Sequence, residues 1–204
     1  MTEFYPTTGI SDAMNKMNTM DVEIKAIASN VNLMGPAYTV KCYPGGIITC
    51  HKALAEVPSG YVLVVEGNGN CNEALWGELT SMEAMQRGVK GIVVDGAVRD
   101  VADIRELGFP TFSRYISPRV GSNKTLGTTG SPIVCGGVTV NQGDLIVGDD
   151  NGVAVVPKGQ IEEILDKAVA IEKKEAAIAE KVKNGAHIAD LIGLSSIINE
   201  AEKQ

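Results

Sequence analysis

The chain has 204 residues, 44% of them hydrophobic and 4% aromatic, with 23 glycines. This is the composition of one ordinary α/β domain with a substantial core. Its formal charge of −7 is spread along the sequence, which argues against nucleic acid as a partner, because phosphate binding needs clustered Lys and Arg. No apolar run approaches the roughly 20 residues of a membrane helix, and no basic-then-apolar leader opens the chain, so no membrane partner and a cytoplasmic location are expected.

In chain order, residues 8–20 read as a helix, with Ser11 as N-cap and Ala13, Met14 and Met17 at helical spacing. Met14, Met17 and Met20 read as core. Two short β-like runs follow, 37–42 and 47–50, punctuated by Gly35-Pro36 and Pro44-Gly45-Gly46. Residues 61–65 form a buried-type strand, closed by the loop Glu66-Gly67-Asn68-Gly69-Asn70. A helical segment then runs to Arg87 with Gly88 behind it. Residues 91–94 are a second strand, turned by Asp95-Gly96, and 100–107 a short helix stopped by Gly108. Two such strand–turn–helix units predict parallel pairing with right-handed crossovers. Short β segments at 133–135, 138–140, 145–147 and 153–156 follow. An amphipathic helix from Ile161 to about Val182 leads to an apolar end at 188–198, which either caps the core or packs on a neighbouring subunit.

The residues that carry chemistry stand after the two strands. Glu78 is followed by twenty residues, then by Arg99 and Asp100. Gly77 is a poor interior helix residue, so the helix can begin beside it, leaving the amides of Glu78, Leu79 and Thr80 as open donors for an anion. Glu78 reads either as a solvated helix carboxylate or as a ligand for a cation or water. Arg99 offers a planar fork that grips a carboxylate. Asp100 reads as a helix cap or as a ligand, and Asp103, one turn later, as a bond to a water on a cation or as first-turn charge.

The loop 66–70 is neither a P-loop nor a dinucleotide fingerprint. It reads as a tight turn or as backbone lining the site, with Asn68, Asn70 and Asn72 as polar liners. Trp76 reads as packing beside the site. Cys42, Cys50, Cys71 and Cys135 lack zinc or CxxC spacing and read as free buried thiols. With His51 and His187 as the only histidines, a His-rich site is not expected.

This pattern (Glu78, twenty residues, Arg99-Asp100, two residues, Asp103) resembles that of the RraA-like family, which includes class II 4-hydroxy-4-methyl-2-oxoglutarate aldolases. The stretches 74–79, 91–100, 135–140 and 150–157, with Ser11-Asp12-Ala13, carry the resemblance along nearly the whole chain. It implies one RraA-like domain over residues 1–204, with a long C-terminal helix and tail from about 160. The implied fold is a three-layer α/β/β/α sandwich like the swivelling phosphohistidine domain, assembled as homotrimers or hexamers.

By the same resemblance Asp100 ligates Mg²⁺ or Mn²⁺ directly, and Glu78 holds it through water. Arg99 binds a small 2-oxo acid with the amides around Gly77, Glu78, Leu79 and Thr80. The implied activity is metal-dependent cleavage of a 4-hydroxy-2-oxo dicarboxylate to pyruvate, with a water held by Glu78 as base and oxaloacetate decarboxylation as companion. The alternative within the family is a non-catalytic regulator that binds a ribonuclease. The chain departs from the family pattern at Gln142-Gly143-Asp144, where Pro-Gly-Asp is usual, and at Glu78, where many members have Asp. A neighbouring subunit's tail supplies an acid in some members; here the tail offers Asp190, Glu200 and Glu202.

Overall fold

Aliphatic runs buried on both faces build the centre of the molecule, as parallel pairing requires. The computed structural model describes residues 4–43 and 45–202; Pro44, in the expected Pro-Gly-Gly turn, lies outside them. The first half contains α1 (Thr7–Ala13), β1 (Lys25–Ala26), β2 (Leu33–Lys41), α2 (Ile48–Glu56), β3 (Val62–Trp76), α3 (Glu78–Gln86), β4 (Gly91–Val98), α4 (Val101–Leu107) and β5 (Thr111–Ile116). The second half adds β6 (Thr128–Thr129), β7 (Ile133–Cys135), β8 (Val138–Val140), β9 (Leu145–Asp149) and β10 (Gly152–Val156). Helices α5 (Ile161–Lys183), α6 (Ile188–Leu191) and α7 (Ser195–Ala201) follow.

The main sheet runs β1-β5-β4-β3-β2-β9-β10, with β6 beside β2. The pairs β2–β3, β3–β4 and β4–β5 are parallel, with α3 and α4 as crossovers, while β9 and β10 join antiparallel. Side chains alternate between two cores. Leu63, Ile92 and Val94 face Leu54, Ala84 and Ile104 of the helical layer. Val62, Val64 and Val93 face Ile133, Val138 and Val140 of the separate β7–β8 hairpin. A third core joins β9 and β10 to Ile10 of α1 and to Ile164 and Ala168 of α5. This is the expected layering of helices, sheet and second sheet.

Two acidic residues expected in turns lie inside strands. Glu66 and Asp95 are register partners in β3 and β4, and both are buried. Glu66 pairs with Lys41 at 2.7 Å and accepts the Val134 N–H at 3.0 Å. Asp95 accepts the Arg114 Nε–H at 2.7 Å and the Gly136 N–H at 2.8 Å. The two carboxylates therefore fasten the hairpin to the sheet. With their charge satisfied, both strands continue past the expected turns. Gly67 is required where it stands, because a Cβ there would lie 2.6 Å from the Asp95 carbonyl oxygen. Residues 67–73 become bulges in β3 rather than a closing loop.

Other expectations change too. The first helix ends at Ala13, since Asn15, Lys16 and Asn18 all take positive φ; Ser11 lies inside it and Pro6 holds the N-cap position. The run 47–50 enters α2 instead of forming a strand. Met17 and Cys71 are exposed, whereas Met14, Met20, Cys42, Cys50 and Cys135 are buried. Among the described residues, no helix is long and apolar enough to cross a membrane.

Candidate active site

The site forms where β3 and β4 end side by side, at the C-terminal edge of the parallel strands. The Trp76 carbonyl accepts the Arg99 N–H at 3.0 Å, tying the two strand ends together. The Trp76 indole donates to Ser81 Oγ at 2.8 Å and its ring stacks on Phe109, so it packs beside the site as expected. Gly77 then turns the chain into α3. Its φ of −165° is ordinary extended backbone, so conformation does not demand glycine. Proximity does: a Cβ would lie 2.6 Å from Asp100 Oδ2 and 3.1 Å from Arg99 Cγ.

The helix starts at Glu78, the position expected from Gly77. Thr80 Oγ1 accepts the Gly77 N–H at 3.0 Å and donates to the Gly77 carbonyl at 2.8 Å, which locks the first turn. Of the three first-turn donors, the Glu78 N–H reaches Asp100 Oδ2 at 3.3 Å. Among the described residues no acceptor meets the N–H groups of Leu79 and Thr80, which face a ligand at the positive end of the helix.

Asp100 occupies the N-cap of α4 with φ 53° and ψ 40°, a left-handed conformation that Asp tolerates better than most residues. It aims the carboxylate at α3 rather than at its own helix, and no side-chain cap bond forms in α4. Its Oδ2 also lies 3.3 Å from Arg99 Nε, and both side chains are more than one-third exposed. The guanidinium and carboxylate thus stand at a mouth open to solvent, where a charged ligand can exchange.

Gly77, Leu79, Thr80, Arg99 and Asp100 all border one hollow of about 110 Å³. That volume leaves room for a small acid beside Arg99. The side chain of Glu78 is half-buried and is not part of the wall, and Asp103 is exposed on α4 away from it. The asparagines expected as liners lie elsewhere. Asn70 and Asn72 border a neighbouring hollow with Arg119 and Ser122, and Asn68 donates to the Cys42 carbonyl at 3.3 Å. The wall also includes Ile47, His51 and Val120, which the sequence reading did not assign to the site. Reading 47–50 as a strand hid the first two. The spacing of Cys50, Ala53, Leu54 and Val57 is helical, and a helix there sets Ile47 and His51 one turn apart on one face.

The donor set bears on what cation the site could hold. Among the described residues no three His, Cys, Asp or Glu side chains converge. A cation at Asp100 would draw few ligands from this chain and keep several waters. That fits Mg²⁺ or Mn²⁺, hard ions with oxygen ligands, and not a structural zinc.

Comparisons with known proteins bear on the family and the fold. A family profile described as RraA-like: Aldolase/RraA matches residues 7–155. A protein of Halalkalibacterium halodurans, provisionally named 4-hydroxy-4-methyl-2-oxoglutarate aldolase, is 39% identical over 181 residues, covering 87% of this chain and 86% of its own. A solved structure of an uncharacterized Pseudomonas syringae protein superposes with a TM-score of 0.85 at 29% identity, covering 92% of this chain and 88% of that one. RraAS2 of Streptomyces coelicolor, described as an unusual member of the RNase ES inhibitor RraA family, superposes with a TM-score of 0.77 at 28% identity. That match covers 86% of this chain and 92% of the other.

Proposed function

The chain belongs to the RraA-like family, and from that premise we propose that it is a divalent-metal-dependent lyase that cleaves a small 4-hydroxy-2-oxo dicarboxylate and releases pyruvate. Oxaloacetate decarboxylation is its companion activity. The observation that carries the reading is the meeting of Arg99, Asp100 and the open amides of Leu79 and Thr80 around one small hollow.

Asp100 would hold Mg²⁺ or Mn²⁺ directly, with Glu78 reaching it through water. The bound ion would supply Lewis-acid polarisation of the 2-oxo group. Arg99 grips the carboxylate next to that group with two parallel N–H bonds. The start of α3 turns two N–H groups and the positive end of its dipole toward the same charge. When the C3–C4 bond breaks, its electron pair is left on a pyruvate enolate, and the Arg99 guanidinium faces the charge that develops. Trp76 and Val120 add apolar surface to the wall, against which the substrate's carbon chain can rest. Homotrimers or hexamers, with an acid from a neighbouring tail completing the site, belong to the same reading.

The test is pyruvate release from oxaloacetate and from a panel of 4-hydroxy-2-oxo dicarboxylates with Mg²⁺ or Mn²⁺. Arg99→Ala and Asp100→Ala are each expected to lower kcat/KM by about 100-fold or more, the range for removing one pre-aligned charge-stabilising group. Unchanged release in both variants would sink the lyase reading.

The likeness to RraAS2 supports a second reading, a protein-binding regulator of a ribonuclease. A wild-type protein that releases no pyruvate with either metal yet inhibits a ribonuclease in a purified assay would favour it.

A further inference from the structure

The cysteines have no part in the proposed cleavage, and two of them meet. Cys42 follows the last residue of β2 and Cys50 lies in the first turn of α2, each 1% exposed in the core on the helical side of the sheet. The Cys42 N–H donates to the Glu66 carbonyl at 3.0 Å, which holds the strand end in place. The two sulfurs stand 3.6 Å apart as hydrogen-bonded thiols. Among the described residues no other two thiols touch. Cys71 is exposed, and the buried Cys135 sets its sulfur 3.8 Å from the Val65 carbonyl oxygen. The bond from Cys50 holds the Cys42 thiol below its ordinary value against burial, with Thr49 helping and the Glu66 carboxylate opposing. The same bond, together with burial, pushes Cys50 up. Cys42 is thus the sulfur of the pair readier to become a thiolate.

We propose that Cys42 and Cys50 are a modification site, joined as a disulfide by hydrogen peroxide, and that the bond acts on the neighbouring hollow. The Cys42 thiolate attacks one peroxide oxygen and the O–O bond breaks, giving a sulfenic acid and hydroxide. The Cys50 thiol then attacks the Cys42 sulfur, and its proton leaves with the sulfenic hydroxyl as water. The hydroxide takes up the proton that the Cys42 thiol gave up. Two thiols and one peroxide become one disulfide and two waters.

Disulfide sulfurs are about 2.0 Å apart, so closing the bond draws α2 and the end of β2 together. Ile47 and His51, on either side of Cys50 in sequence, both belong to the wall of the hollow. The Ile47 N–H also donates to the Ser122 carbonyl at 3.0 Å, in the segment that carries Val120 to the same wall. Moving α2 therefore disturbs three wall residues, while Arg99 and Asp100 keep their places at the end of β4.

The full chain treated with hydrogen peroxide, before any metal is added, tests the bond. A non-reducing peptide map is expected to join Cys42 to Cys50, to leave Cys135 a free thiol, and to lose the link in dithiothreitol. Cys50→Ala is expected to stop at the Cys42 sulfenic acid, which dimedone traps. Cys42→Ala should form no link, and it serves as the control if Cys50→Ala fails to fold. Both thiols still free once Cys71 is oxidised would overturn the proposal. Cys135 oxidised as fast as the pair would overturn it too, because the oxidant would then be reaching the unfolded chain.

These readouts are independent of the lyase reading, whereas the effect on the hollow rests on it. With Mg²⁺ the linked protein is expected to release pyruvate from oxaloacetate about tenfold more slowly. That is less than the roughly 100-fold that a misplacement of about 1 Å can cost, because the charged groups stay in place. Dithiothreitol should restore the rate, and Cys50→Ala treated alike should keep its own. A linked protein at the full wild-type rate would overturn the control of the hollow. An untreated wild type that releases no pyruvate would overturn the lyase reading and that control with it, while the peptide map decides the bond alone.

Discussion

At Gly77 the demand for glycine is set by a neighbour and not by φ, so a mutation there separates site geometry from folding. Gly77→Ala puts a methyl 2.6 Å from Asp100 Oδ2, the far end of a side chain that can swing toward solvent. The protein is expected to fold, with a Tm within about 4 °C of wild type. The displaced carboxylate leaves its contacts with the Glu78 N–H and Arg99, and pyruvate release should fall by about 100-fold. A large fall in Tm, read by calorimetry, would mean instead that the strand end had moved.

Asp100 gives the complementary case. Asn tolerates the left-handed backbone, so Asp100→Asn should keep the native Tm while removing the charge. Asp100→Ala should lose about 1–2 kcal/mol, the cost of holding there a residue without the short polar side chain that eases Asp and Asn into that region. Denaturant melts of the two variants separate backbone strain from charge.

At the scale of elements, most of the fold was legible in the sequence. The parallel units, the β-rich second half, the long α5 and the stop at Gly108 all follow from periodicity and turn residues. The start of α3 beside Gly77 was legible for the same reason, and it placed the open amides. What escaped reading has a common physical cause, polar groups satisfied by partners distant in sequence. Glu66 and Asp95 look like turn residues until their acceptor roles toward Val134, Gly136, Lys41 and Arg114 are known. His51 escaped because 47–50 was read as a β-like run, which left α2 and its faces out of the reading.

Asp149 is another long-range acceptor, and it carries a pH prediction. Burial works against its charge. The hydrogen bonds of the Thr7 hydroxyl at 2.6 Å, the Thr7 N–H at 2.9 Å and the Asn151 N–H outweigh burial and hold the carboxyl below its ordinary value. A carboxylate depressed by folding adds stability that is present above its unfolded pKa, near pH 4, and is lost as pH falls through the folded value. The docking of α1 should therefore weaken below about pH 4. Thr7→Val removes the hydroxyl donor, lowering stability at pH 7 by about 1.5–3 kcal/mol. It also lets the carboxyl relax upward, so the variant should lose less stability than wild type between pH 7 and pH 3. Urea melts at the two pH values check both signs, and a variant with the full wild-type acid slope would refute the assignment.

Over the whole molecule, three cores hold nearly all the buried apolar residues of the body, and the C-terminal end stands apart from them. Ile188, Ile192, Leu194, Ile197 and Ile198 are each at least 43% exposed, and Ala189 is the one buried residue of α6 and α7. One such side chain is unremarkable on a soluble protein, but five between positions 188 and 198 form an apolar surface. The three cores draw no residue from α7, so removing residues 185–204 should leave the body intact, with a Tm within about 4 °C of the full chain. If the tail packs on a neighbouring copy, as the trimer or hexamer reading holds, the full chain sediments at a multiple of 21.5 kDa and the truncated chain at a lower multiple. The same truncation removes Asp190, Glu200 and Glu202, so an acid lent between subunits would show as lost pyruvate release in a protein whose own hollow is complete. Unchanged sedimentation together with unchanged activity would assign the tail to neither role and leave Leu79, Met82 and Met85, exposed along α3 at the edge of the site, as the surface to mutate next.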